Sequence, residues 1–143
     1  MPSSEAKLKR VVIDPDTAIR IASGALAPSD AIAILAPTLL RSEVLATLYA
    51  RVREGALAAE QGLAINAHFA KLKFRYLGDA VMRRRAWTIA DRQGLRSTEL
   101  AEYVALAQLQ ADALVTEDPD LAAAAEGEVP VVAPLTIEPT ERP

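Results

Sequence analysis

The chain of 143 residues contains no cysteine, which excludes disulfides and thiolate chemistry and suits a reducing compartment. Aromatic residues make up only 4% of it against 51% hydrophobic residues. Its core must therefore be built from Ala, Leu, Val and Ile, a composition that favours helices packed on a sheet. No apolar run is long enough to span a membrane, and Met1 to Arg10 lacks the apolar stretch of a secretory signal, so the chain is expected to be cytoplasmic. The formal net charge of −3 argues against broad attachment to nucleic acid and leaves only a local basic face for that purpose. The length is that of one ordinary domain with a real core.

Within those limits, strands and helices alternate. Val11 to Ile13 reads as a strand, followed by Asp14-Pro15-Asp16-Thr17, where Asp16 or Thr17 is placed to cap a short helix that stops near Gly24. Ile32 to Leu35 is a weak extended piece. Pro37 and Thr38 open a helix whose apolar positions Leu40, Val44, Leu45, Leu48 and Val52 keep the helical period up to Gly55. Further helices are expected over Ala58 to Lys71, from Asp79 to Gly94, and from Thr98 to Gln110, with a short strand from Phe74 to Leu77. Ala113 to Val115 forms another strand, Pro119 starts an Ala-rich helix, and Val129 to Val132 is the last apolar run. Strands separated by helices of this length imply right-handed crossovers and a parallel sheet covered on both faces. Residues 1–10 are expected to be a flexible extension, 11–133 the domain, and 134–143, with three prolines and no periodicity, a loose tail.

Two of the strands run straight into acids. Val11-Val12-Ile13 meets Asp14, and Ala113-Leu114-Val115-Thr116 meets Glu117-Asp118, about a hundred residues further on. Side chains at the carboxyl ends of neighbouring parallel strands converge on one crevice, so these carboxylates are expected to share a site. A hard divalent cation would offset their repulsion and accept their oxygens. Glu43 flanks the apolar stripe of its helix and is the third candidate, although a first-turn glutamate also serves the helix dipole. An aspartate after a strand likewise serves as a helix cap, so both readings stay open at each acid.

The order Val12-Ile13-Asp14-Pro15, then Ala36-Pro37-Thr38-Leu39-Leu40-Arg41-Ser42-Glu43-Val44, then the run from Glu102-Tyr103 to Val115-Thr116-Glu117-Asp118, resembles PIN-domain proteins of the VapC toxin type, over about Val11 to Leu135. The resemblance implies a PIN-like three-layer α/β/α sandwich with a central, mostly parallel sheet. It also implies a small ribonuclease that cuts RNA with Mg²⁺ or Mn²⁺, assembles as a homodimer and is silenced by a VapB-type antitoxin. Three of the family's four cleft carboxylates map onto Asp14, Glu43 and Asp118, as catalytic residues and metal ligands, with Glu43 binding directly or through water. The fourth falls on Leu100, within Glu99-Leu100-Ala101-Glu102-Tyr103 where such proteins commonly carry Tyr-Asp-Ala-Glu-Tyr.

Leucine cannot hold a metal, and Leu100 shares an inward stripe with Val104 and Ala107. Three outcomes follow: Glu99 swings in from the adjacent position, Asp16 restores the charge from the turn after Asp14, or the site keeps three acids and binds metal weakly. Glu102 is the poorer substitute, about 200° around the helix from position 100. The alternative is a catalytically impaired PIN-fold protein that acts by binding RNA or its antitoxin. Thr116 is either a donor that fixes a carboxylate or an ordinary strand-end residue. Lys71, Lys73, Arg75 and Arg83-Arg84-Arg85 form the densest basic stretch, which offers phosphate contacts or simply a solvated face. His68 is read as a surface or packing residue and Trp87 as core or dimer packing, while apolar residues on the helices from Thr38 and Ala58 are candidates for a dimer or antitoxin groove.

Overall fold

A computed structural model of the protein describes residues 7–139. Among these, five strands form one sheet in the order β3-β2-β1-β4-β5, every neighbouring pair parallel: β1 (Arg10–Ile13), β2 (Ala33–Pro37), β3 (Arg75–Leu77), β4 (Ala113–Val115) and β5 (Val131–Val132). Val11, Val12 and Ile13, like Ala113, Leu114 and Val115, are fully buried, as uninterrupted apolar strands must be when both sheet faces are covered. The covering helices are α1 (Pro15–Ser23), α2 (Leu40–Arg53), α3 (Ala59–Lys71), α4 (Ala80–Gln93), α5 (Glu99–Gln110) and α6 (Pro119–Ala125). Helices α1, α2 and α3 pack on one another, whereas α5 packs against α4 and α6 and against β1, β2 and β4. The result is the expected α/β/α sandwich.

The strand order carries the functional consequence. From β1 the chain winds outward through β2 and β3, then crosses back to lay β4 on the other side of β1. Between β1 and β4 the winding reverses, and this reversal opens a crevice at the strands' carboxyl ends. Ile13 pairs with Val115 there, so the segments 14–16 and 116–118 leave the sheet side by side.

Local signals explain most element ends. Asp79 accepts a hydrogen bond from Met82 N at 2.9 Å and starts α4, which Gly94 closes at φ 70°. Helix α1 departs from expectation: its cap is Asp14 itself, not Asp16 or Thr17, because Pro15 fits the first helical position and leaves Asp14 extended with its Oδ1 2.9 Å from Thr17 N. Pro37 does not open a helix either. It ends β2 opposite Leu77, and α2 begins at Leu40. Gly62 lets α3 approach α2 closely, since a Cβ there would come within 2.9 Å of Val52 Cγ2.

The chain ends also differ from expectation. Pro134–Ile137 form a 3-10 helix with Pro134 and Ile137 buried, Ser29 N bonds Ile137 O at 2.8 Å, and Glu138 Oε2 accepts from Ala27 N at 2.9 Å. A segment without helical period in its sequence is held here by burial of Pro134 and Ile137, by the backbone bond to Ser29 and by the Glu138 carboxylate on Ala27 N. At the other end, the backbone N–H groups of Lys9 and Arg10 both donate to Asp112 Oδ2, so these two residues belong to the domain. Residues 1–6 and 140–143 lie outside the described residues. Replacing Ile137 with Ala should cost about 2–5 kcal/mol, the range for emptying a buried aliphatic site. Urea denaturation with an unchanged m-value checks this, and a loose tail would leave the midpoint where it is.

Candidate functional site

The crevice between β1 and β4 is lined by Asp14, Pro15, Glu43, Ala46, Thr47, Leu100, Tyr103, Asp118 and Leu121, around a pocket of about 320 Å³. The three expected acids arrive from three elements. Asp14 follows β1, Glu43 comes from the first turn of α2, and Asp118 caps α6 after β4.

Asp14 is only 3% exposed, and such a carboxylate needs donors. Thr17 N supplies one, and Thr116 Oγ1, 4% exposed, donates the other to Asp14 Oδ2 at 2.5 Å. The same Thr116 oxygen accepts from Asp118 N at 2.9 Å. Thr116 is therefore the fixing donor of the two readings open in the sequence, and it ties both aspartates to one hydroxyl. Asp118 Oδ1 accepts from Asp120 N at 3.0 Å and points toward the start of α6.

Glu43 meets Tyr103 of α5, which reaches it across the pocket. Tyr103, 1% exposed, donates its phenol hydrogen to Glu43 Oε1 at 2.5 Å. Burial first, then the neighbouring Glu43 carboxylate, pushes the Tyr103 hydroxyl well above its ordinary range, so it stays a donor. Glu43 is itself raised above the usual carboxylate range, chiefly by burial and further by Glu99, while the Tyr103 bond opposes the rise. The signal available in the sequence was that a buried tyrosine hydroxyl requires a partner.

Of the substitutes considered for the missing acid, neither enters the pocket. Glu99 is exposed, and a bond from Ser97 together with its own backbone N–H holds its carboxyl below the usual range. Asp16 lies in an adjoining cavity, bound by Arg20 Nε at 2.9 Å and Arg51 Nη2 at 2.8 Å. Glu102 is half-buried and raised by burial, by Glu43 and by Glu99, with Arg83 opposing. Leu100 lines the pocket as its stripe implied, an apolar side chain among carboxylates.

The acids share a pocket without converging. Among the described residues, no three His, Cys, Asp or Glu side chains stand together in an arrangement that would hold an ion as they lie. The physical reason is that each is turned to a protein donor: Asp14 to Thr17 and Thr116, Glu43 to Tyr103, Asp118 to Asp120. In kind, the donor set fits a hard dication, since it offers carboxylate oxygens and no soft ligand.

Elsewhere the basic residues diverge. Arg83 donates to Gly78 O at 2.5 Å, Arg85 to Gln108 Oε1 at 2.9 Å, and both are exposed. His68 is a surface residue, and Trp87, 72% exposed, is not part of the core. Leu45, Tyr49 and Leu63 are exposed around an apolar groove of about 240 Å³ between α2 and α3, where Leu45 and Val52 leave the buried stripe of α2.

Among solved structures, the chain is similar to PAE2754 from Pyrobaculum aerophilum, with 21% identity and a TM-score of 0.62 over 87% of this chain and 90% of that one. It is also similar to VapBC2 from Rickettsia felis, crystallised with a DNA fragment from the promoter, with 9% identity and a TM-score of 0.60 over 87% of this chain and 98% of that one. The chain shares its PIN-like fold with these two structures. No family model and no curated protein sequence matches the chain. In this PIN-like fold, no helix among the described residues is long and apolar enough to cross a membrane.

The Tyr103–Glu43 bond makes a pH-dependent prediction. Because the folded-state pKa of Glu43 is raised, the stability it contributes is complete below the ordinary carboxylate range and is lost as pH rises through the raised value. Tyr103→Phe removes the opposing bond, so Glu43 should titrate at still higher pH and the loss of stability should extend upward with it. A carboxyl ¹³C titration of both proteins, paired with denaturation midpoints across pH, checks the direction.

Proposed function

We propose that this PIN-like protein is a metal-dependent endoribonuclease toxin of a VapBC-type pair, which cuts RNA phosphodiesters in the cytoplasm and is attenuated by Leu100. The observation that carries the reading is the pocket at the β1–β4 reversal, where Asp14, Glu43 and Asp118 face one space and Thr116 pins two of them. Asp14 and Asp118 would hold Mg²⁺ or Mn²⁺ directly, with Glu43 acting through water, because Mg²⁺ keeps several waters and takes few protein ligands. When bound, such an ion supplies an acidified water and neutralises charge on the phosphorus oxygens. The chain's own residues do the positioning. Thr116 restricts the rotation of Asp14, Tyr103 restricts that of Glu43, and Leu100 with Leu121 gives the pocket an apolar wall that excludes water from one side.

The partners follow from the exposed surfaces. The apolar groove between α2 and α3 fits an amphipathic segment of a VapB-type antitoxin, which would lay its apolar side against Leu45, Tyr49 and Leu63. Val81 and Trp87 on α4 are the exposed apolar side chains that a second copy would cover in a homodimer. The likeness to VapBC2 supports the toxin–antitoxin reading.

A second reading is favoured by one observation: Leu100 projects into the pocket where the resemblance implies a fourth carboxylate, and neither Glu99 nor Asp16 takes its place. In that reading the protein has lost efficient cleavage and works by binding RNA or its antitoxin. The two readings separate in one assay series. RNA cleavage should require Mg²⁺ or Mn²⁺, stop with chelator, and vanish in Asp14→Asn and Asp118→Asn. Leu100→Asp should raise metal affinity or rate by about tenfold or more, the scale on which partners in a metal site act. Cleavage that ignores chelator, or no cleavage of varied RNAs by either the parent or Leu100→Asp, defeats the nuclease reading.

A further inference from the structure

The acidic pocket is one end of a longer cleft. Its lining residues Asp14, Pro15, Thr47 and Asp118 also line an adjoining cavity of about 450 Å³, whose other walls are Asp16, Arg20, Arg51 and Glu117. One end of the cleft is thus carboxylate, and the other carries two guanidinium groups. Arg20 comes from α1 and Arg51 from α2, and a single carboxylate brings them together: Asp16 Oδ2 binds Arg20 Nε at 2.9 Å and Asp16 Oδ1 binds Arg51 Nη2 at 2.8 Å. Glu117 Oε1 takes Arg20 Nη2 at 2.8 Å from the opposite side.

Ion pairs between side chains this exposed add little to stability, so the network has no strong structural purpose of its own. Its effect is on orientation. Two planar groups that would otherwise sweep through solvent are held against the cavity, and each keeps donors that bind nothing among the described residues: Nη1 of Arg20, and Nε and Nη1 of Arg51. Forked N–H donors of fixed geometry match the oxygens of a phosphate. An RNA strand whose scissile phosphate lies over Asp14 and Asp118 must carry its next phosphate away from those carboxylates, which repel it, and the shared walls lead to the arginines.

We propose that Arg20 and Arg51 form the binding site for the RNA phosphate that adjoins the one being cut, with Asp16 and Glu117 holding them in place. This subsite rests on the ribonuclease reading. Asp16, considered from the sequence as a stand-in metal ligand, has its charge committed to the two arginines instead.

The test is steady-state cleavage of a short fluorescent single-stranded RNA with Mn²⁺ over a range of salt concentrations. Arg20→Gln and Arg51→Gln should each raise KM several-fold with kcat kept within about twofold, and should flatten the dependence of log(kcat/KM) on log salt by about 0.7, one phosphate contact on a single strand. Arg51→Lys, which keeps the charge, should restore the salt slope, and thermal melts should show all three variants folded. Parental KM and slope in both glutamine variants would overturn the subsite while leaving the nuclease intact, as would a lysine variant that fails to restore the slope. If the parent does not cleave, the nuclease reading fails separately and the same RNA serves as an uncut ligand: equal affinity and salt slope in parent and glutamine variants then overturn the subsite too.

Discussion

One hydroxyl spans the place where the sheet reverses its winding. Thr116 donates to the buried carboxylate of Asp14 and accepts from the backbone of Asp118, so the carboxyl ends of β1 and β4 are cross-tied by a side chain as well as by the ladder between Ile13 and Val115. A carboxylate as enclosed as Asp14 is stable only while its oxygens are satisfied, and Thr17 N with Thr116 Oγ1 meets that requirement. The positions of α1 and α6 follow, because Asp14 and Asp118 are their first residues outside the helical turn. The two aspartates that face the crevice are placed by that short crosslink.

Around it, the chain handles like charge in two different ways. On the α2–α5 side, Glu43 and Glu102 are raised by burial and by neighbouring carboxylates, opposed by the Tyr103 phenol and by Arg83 respectively, whereas Glu99 is held low by Ser97 and its own backbone N–H. On the α1 side, Asp16 and Glu117 are matched by Arg20 and Arg51. The first group is left with unspent affinity for a cation, whereas the second has its charges paired while both arginines keep N–H donors without partners among the described residues. The cleft is therefore polarised along its length, and Leu100 softens the contrast, since an apolar side chain stands where the resemblance implies a further negative charge.

Much of this architecture could be read from residue order. Apolar runs ending in acids marked β1 and β4, and Asp79 with Gly94 bracketed α4, because those signals are local and each has one physical meaning. Parallel topology put Asp14 and Asp118 at one crevice, helical position put Glu43 beside the apolar stripe, and the resemblance put Leu100 among them; all four line one pocket. What was illegible depended on distant partners. Arg51 lies 35 residues from Asp16, so nothing near Asp16 announced that its charge was engaged. Tyr103 sat in an apolar stripe that hid its hydroxyl's need for Glu43, 60 residues away. The cap is Asp14 in place of Asp16 or Thr17 because Pro15 fits the first helical position, and residues 134–137 pack through buried Ile137 despite a sequence without period.

The double duty of Asp14 has an evolutionary corollary. The oxygen that starts α1 and the oxygen that Thr116 grips belong to the carboxylate that lines the pocket, so the helix start and the pocket wall are inherited together at that position. A side-chain change at Leu100, where no helix end depends on the residue, therefore costs the fold far less than one at Asp14. Variation in this crevice should thus concentrate on α5, while the strand-end aspartate that caps α1 is retained for the fold alone.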